Sequence, residues 1–194
     1  AKDHTLWRDD PREIADRLGW LTVTEQMHEQ LPELLAFARQ VAGEGIQHVV
    51  LLGMGGSALC PEVLRRVFGS APGYPVLRLL DSTVPATVAE TLEAVDPART
   101  LVIVSSKSGT TIEVLSLYRA FRARLDSALG PGAGRRFIAI TDPGTPLEAM
   151  AKETGFRRVF LNPPEVGGRF SGLSLFGLVP AALIGVDVGR LLER

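Results

Sequence analysis

Two textures of hydrophobic patterning meet near residue 45. Before it, apolar positions recur at spacings of three and four; after it, they gather in short uninterrupted runs. In the first stretch Met27, Leu31, Leu34, Leu35, Ala38 and Val41 fall on one face of a helix. Thr24 suits its cap and Gly43 and Gly45 its end, with Pro32 as a point of kinking. Upstream, Asp10-Pro11 followed by Arg12, Glu13, Ile14 and Leu18 predicts a short helix with proline in its first turn, closed by Gly19.

The runs are His48-Val49-Val50-Leu51-Leu52, Val76-Leu77-Arg78-Leu79-Leu80, Leu101-Val102-Ile103-Val104 and Phe137-Ile138-Ala139-Ile140, with a weaker fifth at Arg158-Val159-Phe160-Leu161. Runs without alternation predict strands covered on both faces, as in a parallel sheet. Helical patterns separate them at Cys60–Phe68, Ala86–Ala94, Thr111–Leu125 and Leu147–Glu153, and Ser171–Ile184 follows as an apolar helix whose course Pro180 leaves open. Gly130-Pro131-Gly132-Ala133-Gly134 reads as a surface loop. Strand–helix alternation of this kind predicts an α/β fold, a three-layer α-β-α sandwich on a five-stranded parallel sheet. Residues 1–45 are then a helical lead-in packed on a domain of residues 46–194.

Composition changes this picture little but excludes several functions. A chain of 194 residues with 45% hydrophobic residues supports a substantial core. The net charge of −1, without long runs of one sign, removes the electrostatic case for binding nucleic acid. No apolar run approaches the roughly 18 residues that span a bilayer. The single cysteine, Cys60, has no internal disulfide partner, so a reducing compartment, the cytoplasm, is expected. Its neighbours Ala58, Leu59 and Pro61 offer no base, which makes it a buried structural thiol. Ala1-Lys2-Asp3, without an initiator methionine, and Leu191-Leu192-Glu193-Arg194, inside a helical pattern, read as the ends of a domain excised from a longer polypeptide.

In an open parallel sheet, ligands sit beyond the carboxyl ends of the strands. Gly53-Met54-Gly55-Gly56-Ser57, after the first run, combines close backbone approach with a helix start and a hydroxyl. It is neither the dinucleotide fingerprint, since Ala58 or Leu59 stands where a third glycine belongs, nor a Walker loop. Ser105-Ser106-Lys107-Ser108-Gly109-Thr110-Thr111, after the third run, crowds five hydroxyls and one ammonium into seven residues. Such donors converge on phosphate oxygens, and Lys107 adds a point charge. Thr141-Asp142-Pro143-Gly144-Thr145-Pro146 and Asp81-Ser82-Thr83-Val84-Pro85 read chiefly as capped turns before helices. Val166-Gly167-Gly168-Arg169-Phe170-Ser171 places an arginine where its guanidinium can meet an anionic oxygen.

Together these residues resemble the sugar isomerase (SIS) domain, a flavodoxin-like fold. Gly55-Gly56-Ser57 and Ser105–Thr111 match its two signature loops, and Gly167-Gly168-Arg169-Phe170-Ser171 narrows the resemblance to the glucose-6-phosphate isomerase family. Pro164 departs from the family pattern, where an acidic or small polar residue is commoner. Pro163-Pro164-Glu165, Leu18-Gly19-Trp20 and Asp81-Ser82-Thr83 are closer to the isomerase part of bifunctional transaldolase/glucose-6-phosphate isomerases. The resemblance runs from about Leu18 to Asp187. It implies that Ser106, Lys107, Ser108, Thr110 and Thr111 bind the phosphate of a sugar phosphate, that Gly56 and Ser57 line the sugar, and that Arg169 is catalytic, stabilising a cis-enediol intermediate. It implies no cofactor and no metal. The partners it implies are glucose 6-phosphate or fructose 6-phosphate, a second SIS domain of the same full-length chain, and a second copy in a homodimer.

The family's general base, a glutamate, and its ring-opening histidine lie later in its sequence. His4, His28 and His48 match neither, and Glu113 and Glu165 stand near candidate loops without matching the base. The chain by itself is therefore expected to bind but not to isomerise. A non-catalytic sugar-phosphate sensor is the alternative, disfavoured by Gly168-Arg169 because a sensor needs no enediolate stabiliser; the isomerase portion of an amidotransferase is a third.

Overall fold

The computed structural model describes residues 2–194. Five parallel strands form one sheet: β1 (His48–Gly53), β2 (Val76–Leu80), β3 (Thr100–Ser105), β4 (Phe137–Thr141) and β5 (Arg158–Leu161). Their spatial order is β2-β1-β3-β4-β5. The chain reverses direction across the sheet between β1 and β3, which makes the carboxyl ends of these strands the topological switch point.

Seven α-helices accompany the strands among the described residues: α1 (Val23–Gly43), α2 (Gly56–Phe68), α3 (Pro85–Glu93), α4 (Ile112–Leu129), α5 (Pro146–Glu153), α6 (Leu175–Leu183) and α7 (Val188–Leu192). Successive strand residues point to opposite faces, and here both faces are apolar. Val49, Leu51, Leu101, Ile103, Ile138 and Ile140 join α1, α2 and α6 in one core. Val50, Leu52, Val102, Val104, Phe137 and Ala139 join α4 and α5 in the other. This double covering explains the uninterrupted runs at β1, β3 and β4. The edge strands β2 and β5 are less buried, and their runs are broken by Arg78 and opened by Arg158.

α1 begins at Val23, one residue before the expected cap; Thr24 lies inside it, and Thr22 precedes it without a side-chain cap bond. It continues through the exposed Pro32. Its buried face adds Val23 and Phe37 to the expected residues, while Leu31 and Leu35 are only half-buried. The short helix expected after Asp10 is replaced by 3-10 turns at Ala15–Arg17 and Gly19–Leu21. Asp10 there binds the N–H and guanidinium of Arg12 instead of capping a helix, the local competition that aspartate offers helical backbone.

Three further corrections concern the connections. α2 starts at Gly56, four residues before the expected Cys60, because Gly55 precedes it with φ of 54°, a conformation that glycine adopts without penalty. Gly130–Arg136 is a 3-10 helix rather than a plain surface loop, with Ala133 buried in the core beside α4 and the sheet and Gly134 buried against Thr154 and Gly155. The expected helix over Ser171–Ile184 divides into a 3-10 turn, Gly168–Leu173, and α6. The Ser174 hydroxyl accepts from Phe176 N at 3.4 Å and opens α6, which is buried all round and carries Pro180 in its interior. Among the described residues, no helix is long and apolar enough to cross a membrane.

Candidate functional site

The first two strand-end loops meet at the switch point. Met54, Gly56, Ser57, Lys107, Ser108 and Thr111 line one part of an open cleft of about 540 Å³; Asp142, Pro143, Thr145, Pro164 and Gly168 line the rest. The hydroxyl-rich loop is internally built. Ser106 is buried, and its hydroxyl lies 2.9 Å from that of Thr111 and accepts from Gly109 N at 3.2 Å. Ser108 accepts from the Thr110 hydroxyl at 2.9 Å and from Thr110 N at 3.3 Å. Ser108 and Thr110 are exposed and Thr111 half-buried. A buried residue thus orients a set of outward donors, and α4 begins directly after Thr111 without a side-chain cap bond. Uncapped first-turn N–H groups and converging hydroxyls favour an anion.

Ser57 belongs to the first turn of α2, with its N–H on Met54 O at 3.2 Å. Gly56 touches the opposite wall: a Cβ built on it would stand 2.1 Å from the Gly168 carbonyl oxygen. Ser171 ties the same wall, donating to Gly168 O at 2.8 Å.

Lys107 is engaged rather than free. Its ammonium pairs with Asp142 Oδ2 and donates to Pro164 O at 2.8 Å. Burial pushes the Asp142 carboxyl above the usual carboxylate range, against the opposing pull of Lys107. Asn162, fully buried at the end of β5, was not picked out by sequence patterning. It occupies the same strand-end position as the other loops, and that placement was the available signal. Thr145 caps α5 as expected, accepting from Glu148 N, and its hydroxyl also lies 2.8 Å from that of Thr141.

Arg169 lies in the 3-10 turn after Gly167; it is exposed and is not among the residues that line the cleft. Its neighbour Phe170 stacks on Trp20 at 5.2 Å between ring centroids. The N-terminal segment is joined to this wall by Gly19 N on Glu165 O at 2.9 Å and a Leu18–Val166 bridge. Leu18-Gly19-Trp20 and Pro163-Pro164-Glu165 are therefore one contact region. The Glu165 side chain pairs with Lys2, and Glu113 is exposed in the first turn of α4. His48 begins β1 at the opposite end of the sheet, with Nδ1 buried and without a partner. Cys60 is half-buried rather than buried as expected, 3.6 Å from Gly172 O, and burial raises its pKa.

The fold and cleft define a class: a doubly wound α/β domain whose switch point presents a hydroxyl-rich, anion-suited loop. The phosphoglucose isomerase family profile matches residues 19–193, and the chain belongs to that family. It is 38% identical over 181 residues to glucose-6-phosphate isomerase of Thermus thermophilus, covering 93% of this chain and 42% of that protein. It is 39% identical over 176 residues to the Rubrobacter xylanophilus enzyme, covering 84% of this chain and 40% of that protein. Among solved structures, a hypothetical protein of Thermus thermophilus superimposes with a TM-score of 0.85 at 38% identity, over 94% of this chain and 43% of that one. A glucose-6-phosphate isomerase from Chlamydia trachomatis gives 0.76 at 26% identity, over 98% and 35%. The chain thus spans about two-fifths of the length of the curated relatives it matches.

Proposed function

We propose that this chain is the first SIS domain of a cytoplasmic isomerase that interconverts glucose 6-phosphate and fructose 6-phosphate, and that it supplies the phosphate-binding half of the active site. The observation that carries the reading is the built loop at the switch point, where buried Ser106 orients Thr111 beside the start of α4 and opposite Ser57. Its family membership supports the chemistry. On this reading Ser106, Ser108, Thr110 and Thr111 hold the phosphate, with Lys107 the one cation of the loop, and Gly56 and Ser57 border the sugar.

The reaction moves a proton between C1 and C2 of the open-chain sugar. Removing it leaves an enediolate, and a fixed guanidinium lowers the barrier by matching that developing charge. Arg169 is assigned this role; reaching the sugar requires its exposed side chain to turn toward the cleft. The proton-transferring glutamate and the ring-opening histidine come from a second SIS domain of the full-length protein, or from a partner in a homodimer. Fusion to a transaldolase rests on the Leu18–Trp20, Asp81–Thr83 and Pro163–Glu165 segments, two of which touch one another here.

Calorimetry with fructose 6-phosphate and with fructose tests the binding assignment. Hydrogen bonds to a charged group are worth about 1.5–3 kcal/mol each, so the phosphorylated sugar binds at least about tenfold more tightly. Equal affinities would remove the phosphate-reading role. A coupled isomerase assay on the 194-residue chain shows no turnover on this proposal; robust turnover would place a base within it, with Glu113 and Glu165 the first to substitute.

A further inference from the structure

We propose that the Lys107–Asp142 pair is a strap that holds the hydroxyl loop at a set distance from the Pro164–Gly168 wall, making Lys107 a positioning residue rather than a phosphate ligand. This rests on the reading of the cleft as a sugar-phosphate site.

The strap crosses three strand ends. Lys107 follows β3, Asp142 follows β4, and Pro164 lies just beyond β5; one ammonium joins all three. The backbone laces the same positions together. Ser106 N donates to Ile140 O at 3.0 Å, Asp142 N to Lys107 O at 3.2 Å, and Asn162 N to Thr141 O at 2.8 Å. The Asp142 side chain is 14% exposed and its Oδ1 is buried without a partner, as is Asn162 Oδ1. A carboxylate in such a setting depends on its cation, and moving Lys107 onto a phosphate would strand it. While the pair holds, the two charges cancel, so the loop meets a phosphate with hydroxyls and N–H dipoles. Those donors are held by bonds inside the loop, Ser106 to Thr111 and Ser108 to Thr110, independent of the strap. The strap sets where the loop stands relative to the wall that Gly168 and Arg169 share.

A ligand that touches only the loop is therefore insensitive to the strap, whereas one that reaches from loop to wall depends on it. The experiment compares inorganic phosphate with fructose 6-phosphate by calorimetry on Lys107→Met, Asp142→Asn and the double variant. Each single change weakens fructose 6-phosphate about tenfold, and the double change only about tenfold to thirtyfold, since the two residues act as one coupled unit. In the double variant, which leaves the site as neutral as the intact pair does, inorganic phosphate changes by no more than about twofold. Amide hydrogen exchange at residues 165–169, distant in sequence from both substitutions, speeds up about tenfold in each variant as that wall loosens. If the double variant weakens phosphate as much as fructose 6-phosphate, Lys107 is a ligand and the proposal is wrong. Unchanged exchange at residues 165–169 overturns the strap whether or not any sugar phosphate binds. If the unsubstituted chain binds neither probe, the reading of the cleft fails, and the exchange measurement alone decides the strap. Should Lys107→Met or the double variant fail to fold, amide exchange at residues 165–169 in Asp142→Asn, which preserves side-chain shape, decides the strap.

Discussion

Clefts lie at both ends of the sheet, and the candidate site at the carboxyl end is smaller than one at the amino end. At the amino end, a cleft of about 710 Å³ is lined by Arg135, Arg136, Arg157 and Glu44 together with glycines and Phe156. At the carboxyl end the cleft is about 540 Å³. The amino-end cleft has more cationic charge, but Arg157 is committed to a bidentate pair with Glu44 and lies 5.2 Å over the Phe37 ring. Among the described residues, no serine or threonine hydroxyl lines it. The carboxyl-end cleft has its one cation paired and many oriented hydroxyls. Volume and charge therefore point one way, and preorganised donors at a switch point the other. Recognition of a small phosphorylated ligand depends on the latter, because oriented dipoles need no rearrangement when the ligand arrives.

On the proposed isomerase reading, Arg169→Ala in the full-length protein is the largest expected effect. A group that matches charge present only after proton removal lowers kcat by about 10²-fold when lost, with KM changed less. Arg135→Ala at the amino end changes both constants by no more than about twofold, as surface substitutions do. Steady-state kinetics on the two variants sharpens the contrast if they differ and breaks it if they do not.

Next come two glycine substitutions, one at each end. A Cβ at Gly56 would meet Gly168 O at 2.1 Å, and one at Gly134 would meet Thr154 O at 2.4 Å. Both overpack backbone against backbone, and each alanine costs about 1–3 kcal/mol of stability in denaturant titrations. Only Gly56→Ala also weakens fructose 6-phosphate, because only it pushes the two walls of the cleft apart. Equal loss of binding in both variants would mean that general destabilisation, not site geometry, is being read.

Ser106→Ala comes third. It removes a buried hydroxyl that orients Thr111, and it weakens fructose 6-phosphate about tenfold by calorimetry. A loss smaller than twofold would return this loop to the role of a polar turn.

The smallest effect lies on α2, which carries Gly56 and Ser57. Hydrogen bonds from Arg65 and then Arg66, with their positive charges, hold the Glu62 carboxyl at about 2, against an ordinary 4.5. A depressed carboxyl stabilises the fold above its unfolded value and loses that contribution as pH falls. The stability gap between the unsubstituted chain and Glu62→Gln is therefore full above pH about 4.5 and closes as pH falls toward about 2. Thermal denaturation across that range checks it. A gap that widened toward acid would reverse the sign.

Local chemistry was enough to locate the strands and the loops that end them. β1, β3 and β4 are legible because a strand buried on both faces must be apolar at every position, and β2 and β5 are weaker for the same reason at the sheet edge. Ser106, Thr111, Ser57 and Gly56 were legible because hydroxyls and glycines crowded at a strand end have few structural uses. Other features depend on residues far apart in sequence. Lys107 reads as a free cation until the fold brings Asp142 and Pro164 to it, 35 and 57 residues away. Asn162 looks ordinary until β5 carries it into the buried end of the sheet. Gly134 looks like part of a surface loop until Thr154 closes over it. In each case the deciding interaction is a long-range pairing of charge or packing, which composition and periodicity do not encode, because they describe a residue's neighbours along the chain and not those across the sheet.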